Sequence, residues 1–95
     1  MRVIELTMTG SAVQILVPSD QAPIANVAVS LMVIQAATAN ATLGDNTVTA
    51  TKGIVLTFGT PYFFPFSQPR GSLLSQYWLI GTNGDKVEVL YETAQ

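Results

Sequence analysis

Apolar and polar positions alternate along much of the chain. In Arg2–Thr9, Ile4, Leu6 and Met8 fall on one side, and Val3, Glu5, Thr7 and Thr9 on the other. A period of two marks a half-buried strand. Gly10-Ser11 breaks it, and Ala12–Val17 resumes with Val13, Ile15 and Val17 on one face and Gln14 on the other. Pro18–Pro23 is a polar loop between prolines that no central strand would tolerate. In Val27–Gln35, Val27, Val29, Leu31 and Val33 form an apolar face, and Ala28, Ser30, Met32 and Ile34 a lighter one. This predicts a central strand covered on both sides. The rival is a helix running on through Ala36, Ala37 and Ala39; the β-branched content favours the strand.

Asn40 and then Gly44-Asp45-Asn46 mark turns. Thr47–Thr51 reads as a strand with a hydroxyl face formed by Thr47, Thr49 and Thr51. Lys52-Gly53 turns into Ile54–Phe58, where Ile54, Leu56 and Phe58 point the same way. Gly59-Thr60-Pro61 is another turn. Tyr62–Phe66 is an aromatic segment bracketed by prolines, Gln68–Ser72 a loop, Leu73–Gln76 room for one helical turn, and Tyr77–Ile80 a strand. Asn83-Gly84 is the strongest hairpin signal, because the pair readily takes the positive φ values of a type I′ turn. In the last strand Val87, Val89 and Tyr91 alternate with Glu88, Leu90 and Glu92. Short strands with turn signals every 8–12 residues predict one all-β domain over residues 1–95, an antiparallel β-sandwich or jelly-roll-like barrel of about eight strands.

Composition changes this picture in one respect. The chain is 48% hydrophobic and 11% charged, with no Cys or His. Typical soluble domains carry about 25% charged residues. A domain of this size buries only about 60–65% of its unfolded surface, and neither disulfides nor thiolate metal sites can reinforce it. Association with other chains is the remaining common remedy. A net charge of −2 with no basic run disfavours a nucleic-acid partner. Glu5 and Thr7 interrupt any leader-like apolar run, so no signal peptide is expected. Ile24–Ala39 is too short and too polar to span a bilayer, which needs about 20 apolar residues, so no membrane partner is expected.

No catalytic residue, metal site or cofactor is expected. Without His there is no Ser-His-Asp triad. Glu88 and Glu92 share a strand face but stand about 13 Å apart, beyond the roughly 5–9.5 Å of a glycosidase pair. Asp45, Asn46 and Asp85 sit where turns want them and lack the spacing of a calcium loop. Asn40-Ala41-Thr42 matches a glycosylation acceptor without consequence in the absence of secretion. The aromatic segment has Arg70 as its one basic neighbour, too little for a nucleic-acid platform. In that segment Phe64 and Phe66 read as core while Tyr62 and Phe63 vary in exposure. Tyr77 and Trp78 project to opposite faces, so one of them points away from the core. Tyr62, Phe63, Trp78 and the Thr47, Thr49 and Thr51 face are therefore the candidate subunit contacts, since aromatic residues are enriched at interfaces.

The order of motifs adds a resemblance. Val33-Ile34-Gln35-Ala36 is followed by Gly44-Asp45-Asn46-Thr47-Val48-Thr49-Ala50-Thr51-Lys52-Gly53, then Leu56 and Gly59, then Leu74-Ser75-Gln76-Tyr77-Trp78-Leu79-Ile80-Gly81 and Gly84-Asp85-Lys86-Val87-Glu88-Val89-Leu90-Tyr91. From Asn26 to Tyr91 this resembles a group of small all-β virion proteins of tailed bacteriophages. The Pro61–Pro65 stretch is more aromatic than that pattern. The resemblance implies a non-enzymatic structural protein made in the bacterial cytoplasm and carried on the outer surface of the capsid or in the tail. Its expected partners are the major capsid protein or other virion subunits, with a homotrimer or higher assembly. A capsid decoration, or cement, protein is the leading expectation. A tail or fibre adaptor is the first alternative, and a glycan-binding attachment module using Trp78 or Tyr77 the second.

Overall fold

The computed structural model describes residues 2–16, 28–66 and 72–93. The loop expected at Pro18–Pro23, the face positions Val17 and Val27, the candidate neighbour Arg70 and most of the Gln68–Ser72 loop lie outside them. The described strands are β1 (Arg2–Thr7), β2 (Val13–Gln14), β3 (Ala28–Ala36), β4 (Ala41–Gly44), β5 (Ile54–Leu56), β6 (Tyr62–Pro65), β7 (Ser72–Leu73), β8 (Trp78–Ile80) and β9 (Lys86–Thr93). A single 3-10 turn, Leu74–Gln76, falls where one helical turn was expected. The fold is all-β. A five-stranded antiparallel sheet runs β1-β9-β3-β6 with β7 also on β3, and a four-stranded antiparallel sheet runs β2-β8-β4-β5.

The two sheets enclose one core. Ile4, Met32, Ile34, Val87, Val89 and Tyr91 come from the larger sheet, and Ile15, Leu43, Leu56 and Leu79 from the smaller sheet and its flank. The alternation read in β1 and β9 holds: Ile4, Val87, Val89 and Tyr91 are buried, while Val3, Glu5, Thr7 and Glu92 are exposed. The strand reading of Val27–Gln35 also holds over the described part, because β3 lies between β9 and β6.

The faces of β3 differ from the simple alternation. Val29 opposes Thr93 but Leu31 opposes Glu92, so one extra residue sits in β3 between them. A bulge of this kind reverses the sidedness of everything beyond it. Val29, Met32, Ile34 and Ala36 therefore share the core side, and Leu31, Val33 and Gln35 face outward. The expected Val29-Leu31-Val33 face is broken at that point.

Three local readings are corrected. Residues 47–51 are not a strand. The Asp45 carboxylate accepts hydrogen bonds from the Thr47 amide at 2.8 Å and its hydroxyl at 2.6 Å, and Thr49 then pairs with Lys52 in an isolated bridge. Such local side-chain bonds compete with a strand ladder. The sheet position instead belongs to Ala41–Gly44, a short stretch of weak strand propensity held between β8 and β5. Second, the face read over Ile54–Phe58 is shortened: Ile54 and Leu56 do point the same way, opposite Leu43 and Ala41, but only Leu56 is buried, and Phe58 lies beyond the strand and is exposed. β5 ends at Leu56, and the Phe58 amide donates to Asn40 Oδ1 at 2.9 Å.

Third, Asn83-Gly84 does not close a hairpin. The Asp85 amide donates to the Thr82 carbonyl at 3.0 Å, and Gly84 has φ +93°, but Asn83 does not take positive φ. This is a tight turn, not type I′. It carries the chain from β8 in one sheet to β9 in the other. Both sides of the turn bond to Met8, with its amide on the Asp85 carbonyl at 2.7 Å and its carbonyl accepting from the Gly84 amide at 2.8 Å. The β1–β9 ladder thereby continues past Thr7 into the turn itself.

Candidate interaction surfaces

The outer face of the five-stranded sheet is built by register. Val3 opposes Leu90, Leu90 opposes Val33, and Val33 opposes Phe63. One apolar row thus crosses β1, β9, β3 and β6. Only its ends are open: Val3 is 52% exposed and Phe63 65%, whereas Leu90 is half-buried and Val33 is buried at 9%. On one side the next outward row is Glu5, Glu88 and Gln35; on the other it is Glu92, Leu31 and Pro65. Beyond Glu5 and Glu88 come Thr7 and Lys86, where the Lys86 ammonium donates to Thr7 Oγ1 at 2.6 Å.

Glu5 and Glu88 form a cross-strand pair of like charge. Partial burial, together with hydrogen bonding to Glu5 and its charge, pushes the Glu88 carboxyl above its ordinary range, while Lys86 pulls the other way. Among the described residues this cross-strand pair sets two carboxyls side by side. The within-strand pair considered from sequence, Glu88 and Glu92, remains apart.

The outer face of the four-stranded sheet is different in kind. Trp78 opposes Gln14 on β2 and Gly44 on β4, so the indole has a polar neighbour on one side and, on the other, a glycine against which the Val48 side chain packs. It is half-buried. Tyr77 projects the opposite way, packs on the core cluster and stacks on Phe66 with ring centroids 5.8 Å apart. The expectation that one of this pair leaves the core is met by Trp78. Next to it, Ile80, Thr42 and Val55 lie in register and floor a groove of about 450 Å³ rimmed by Asn40, Thr82 and Asn83. Thr42 is buried, its hydroxyl donating to the Ala50 carbonyl at 3.4 Å.

The other candidates separate. Tyr62 lies on the inner side of β6 with Phe64, and its phenol oxygen accepts from the Thr57 amide at 3.0 Å, which lowers the phenol's pKa. Phe63 is the member of the aromatic segment that faces out. The hydroxyls of Thr47, Thr49 and Thr51 are exposed but are tied into their own turn. Thr47 bonds Asp45 and accepts from the Lys52 ammonium at 2.9 Å, and Thr49 contacts Thr51. The Thr47 hydrogen bonds also hold the Asp45 carboxyl below its ordinary range, with Lys52 adding to the effect. Phe63 therefore lies on the outer face of the larger sheet, while Trp78 lies on that of the smaller sheet, over which the threonine turn folds.

Between the free edges of the two sheets lies a second groove of about 390 Å³, walled by Leu43, Ile54, Phe64, Phe66 and Tyr77. Of its two edge strands, β6 carries Pro65 and follows Pro61, which blunt it against further pairing. Among the described residues no group of three or more acidic side chains is placed to hold a metal ion, and no helix is long and apolar enough to cross a membrane.

Sequence reasoning missed the Val3-Leu90-Val33-Phe63 row and the Glu5–Glu88 pair. The signal was present in part, since Val3 and Leu90 already fell on the polar sides of their strands. Comparison with known protein families, with curated proteins and with solved structures finds no match to this chain.

Proposed function

We propose that the chain is a non-enzymatic structural protein of a tailed-bacteriophage virion, a decoration protein that binds the assembled head and stabilises it. The observation that carries the reading is the apolar surface left outside a complete core. Val3, Ile54, Val55, Phe58 and Phe63 are each more than half exposed while the core beneath them is closed. Exposed apolar patches on a small domain mark surfaces that another molecule covers. The resemblance of the motif order to that of small phage virion proteins supports the same reading, and so does the low charge.

A protein that binds only the assembled lattice stabilises that lattice by mass action, by about 2.7 kcal/mol per site at a hundred times its Kd. Many copies, clustered as trimers or higher assemblies, would distribute this effect over the whole shell. The test is the copy number per particle by quantitative mass spectrometry, together with the heat resistance of heads with and without the chain. Hundreds of copies and a loss of heat resistance on stripping are expected. A handful of copies per particle would point to the tail-adaptor reading instead. A Trp fluorescence change on titration with host polysaccharide, without head binding, would point to the glycan reading.

A further inference from the structure

We propose that the outer face of the five-stranded sheet docks a protein partner that presents an apolar ridge with a lysine or arginine beside it. The ridge covers the exposed Val3 and Phe63 and the half-buried Leu90, across the buried Val33 between them, and the cation seats between Glu5 and Glu88. The inference rests on the decoration reading only for the partner's identity, a subunit of the head lattice.

Charge chooses the occupant. The apolar row is flanked by Glu5 and Glu88 on one side and by Glu92 on the other. Among the described residues the cation projecting on this face is Lys86, whose ammonium donates to Thr7 Oγ1. A second copy of the chain would bring further carboxylates to a face that already sets two directly opposite each other, an arrangement that is itself destabilising. A partner cation reverses the sign of that local interaction, because each carboxylate then has an opposite charge within reach. The geometry is complementary as well. Adjacent strands stand about 4.8 Å apart, so the four side chains of the row span about 14 Å, the length of an ordinary surface ridge. Phe63 at the open end supplies a large aromatic side chain of the kind enriched at interfaces.

Glu88 also gives the surface a pH signature. The groups that face it are Glu5 from β1, Gln35 from β3, and Lys86 on its own strand. Its raised carboxyl must lose its proton to receive a cation, so binding strengthens as pH rises through the titration of Glu88.

The experiment is co-sedimentation of the purified chain with emptied heads of the phage whose virion carries it, at pH 7 and pH 5. Wild type is expected to bind at pH 7 and several-fold more weakly at pH 5. Phe63→Lys should bind at least ten-fold more weakly. The Glu5→Gln/Glu88→Gln variant should bind several-fold more weakly and lose the pH dependence. That double variant removes a repulsion and keeps the fold, so it guards against a Phe63 substitution that merely unfolds the chain. If both variants bind as tightly as wild type, this docking surface is overturned and the decoration reading stands. If wild type does not bind heads at all, the decoration reading falls, and the partner assigned to this face falls with it.

Discussion

The two outer faces of the sandwich are made from similar residues and end up as different surfaces. On the larger sheet, β3 and β9 run side by side over Val29–Ala36 and Val87–Thr93, and β1 extends the same ladder. Outward residues on separate strands fall into straight rows: one of apolar side chains, and one of Glu5, Glu88 and Gln35. On the smaller sheet the strands are two to four residues long. Trp78 meets a glycine on one side, and the segment at 45–53 folds back so that Ala50 meets Thr42. Long strands in register turn isolated exposed residues into a continuous surface, while short strands leave pockets and turns.

Substitutions can break this comparison, beginning with the core that both faces share. Leu79→Ala removes a fully buried side chain facing the larger sheet and should cost about 2–5 kcal/mol in urea unfolding. A cost below 1 kcal/mol would mean that the sheets do not pack tightly there. Gly53→Ala comes next, and acts on the smaller sheet alone. Gly53 has φ +136°, and a Cβ there would lie 2.5 Å from the Leu43 carbonyl oxygen. A loss of roughly 1–3 kcal/mol is expected, with the β4–β5 amides losing hydrogen-exchange protection before those of β3 and β9.

The outer aromatic residues then sharpen the contrast. Phe63→Ala should change stability by about 0.5 kcal/mol, as for an exposed position, yet weaken head binding more than Trp78→Ala does. Trp78→Ala should lower the melting temperature more than Phe63→Ala, because the indole is half-buried in the free chain. The opposite order in both measurements would move the contact surface to the smaller sheet.

The smallest effects are electrostatic. Glu88 binds its proton more tightly folded than unfolded, so its pair stabilises the native state least when ionised. Stability should fall as pH rises from about the ordinary Glu value, 4.3, through the raised folded value, and then level off. Glu5→Gln should flatten that fall and raise stability at pH 7 by about 0.2–1 kcal/mol, toward the lower end because the pair is reached by water. Asp45 has the opposite sign. Its lowered carboxyl contributes above its ordinary range, and that contribution is lost as pH falls through the folded value, so Asp45→Asn should remove a slight acid destabilisation of the 45–52 turn. Urea melts from pH 3 to pH 8 on wild type and both variants read the two trends separately.

What could be read from the chain was what depends on neighbours a few residues away. The period-two burial of β1 and β9, the strand in Val27–Gln35, the 3-10 turn after Leu73, the departure of one of Tyr77 and Trp78 from the core, and the all-β class followed from alternation and turn chemistry. The strand expected at 47–51 failed for the same local reason that made it attractive: threonines that suit a strand also bond to Asp45 and to one another. Asn83-Gly84 announced a turn, but whether a turn joins partners in one sheet or crosses between two depends on which strand reaches it, here the end of β1 at Met8. The bulge in β3 and the register of β1, β9, β3 and β6 are likewise properties of pairing. Sequence alternation fixed Val3 and Leu90 on the polar sides of their strands and Glu5 and Glu88 beside them. Only tertiary pairing could set Val3 against Leu90, Leu90 against Val33 and Glu5 against Glu88, because a one-residue slip between strands moves every one of those side chains to a different neighbour.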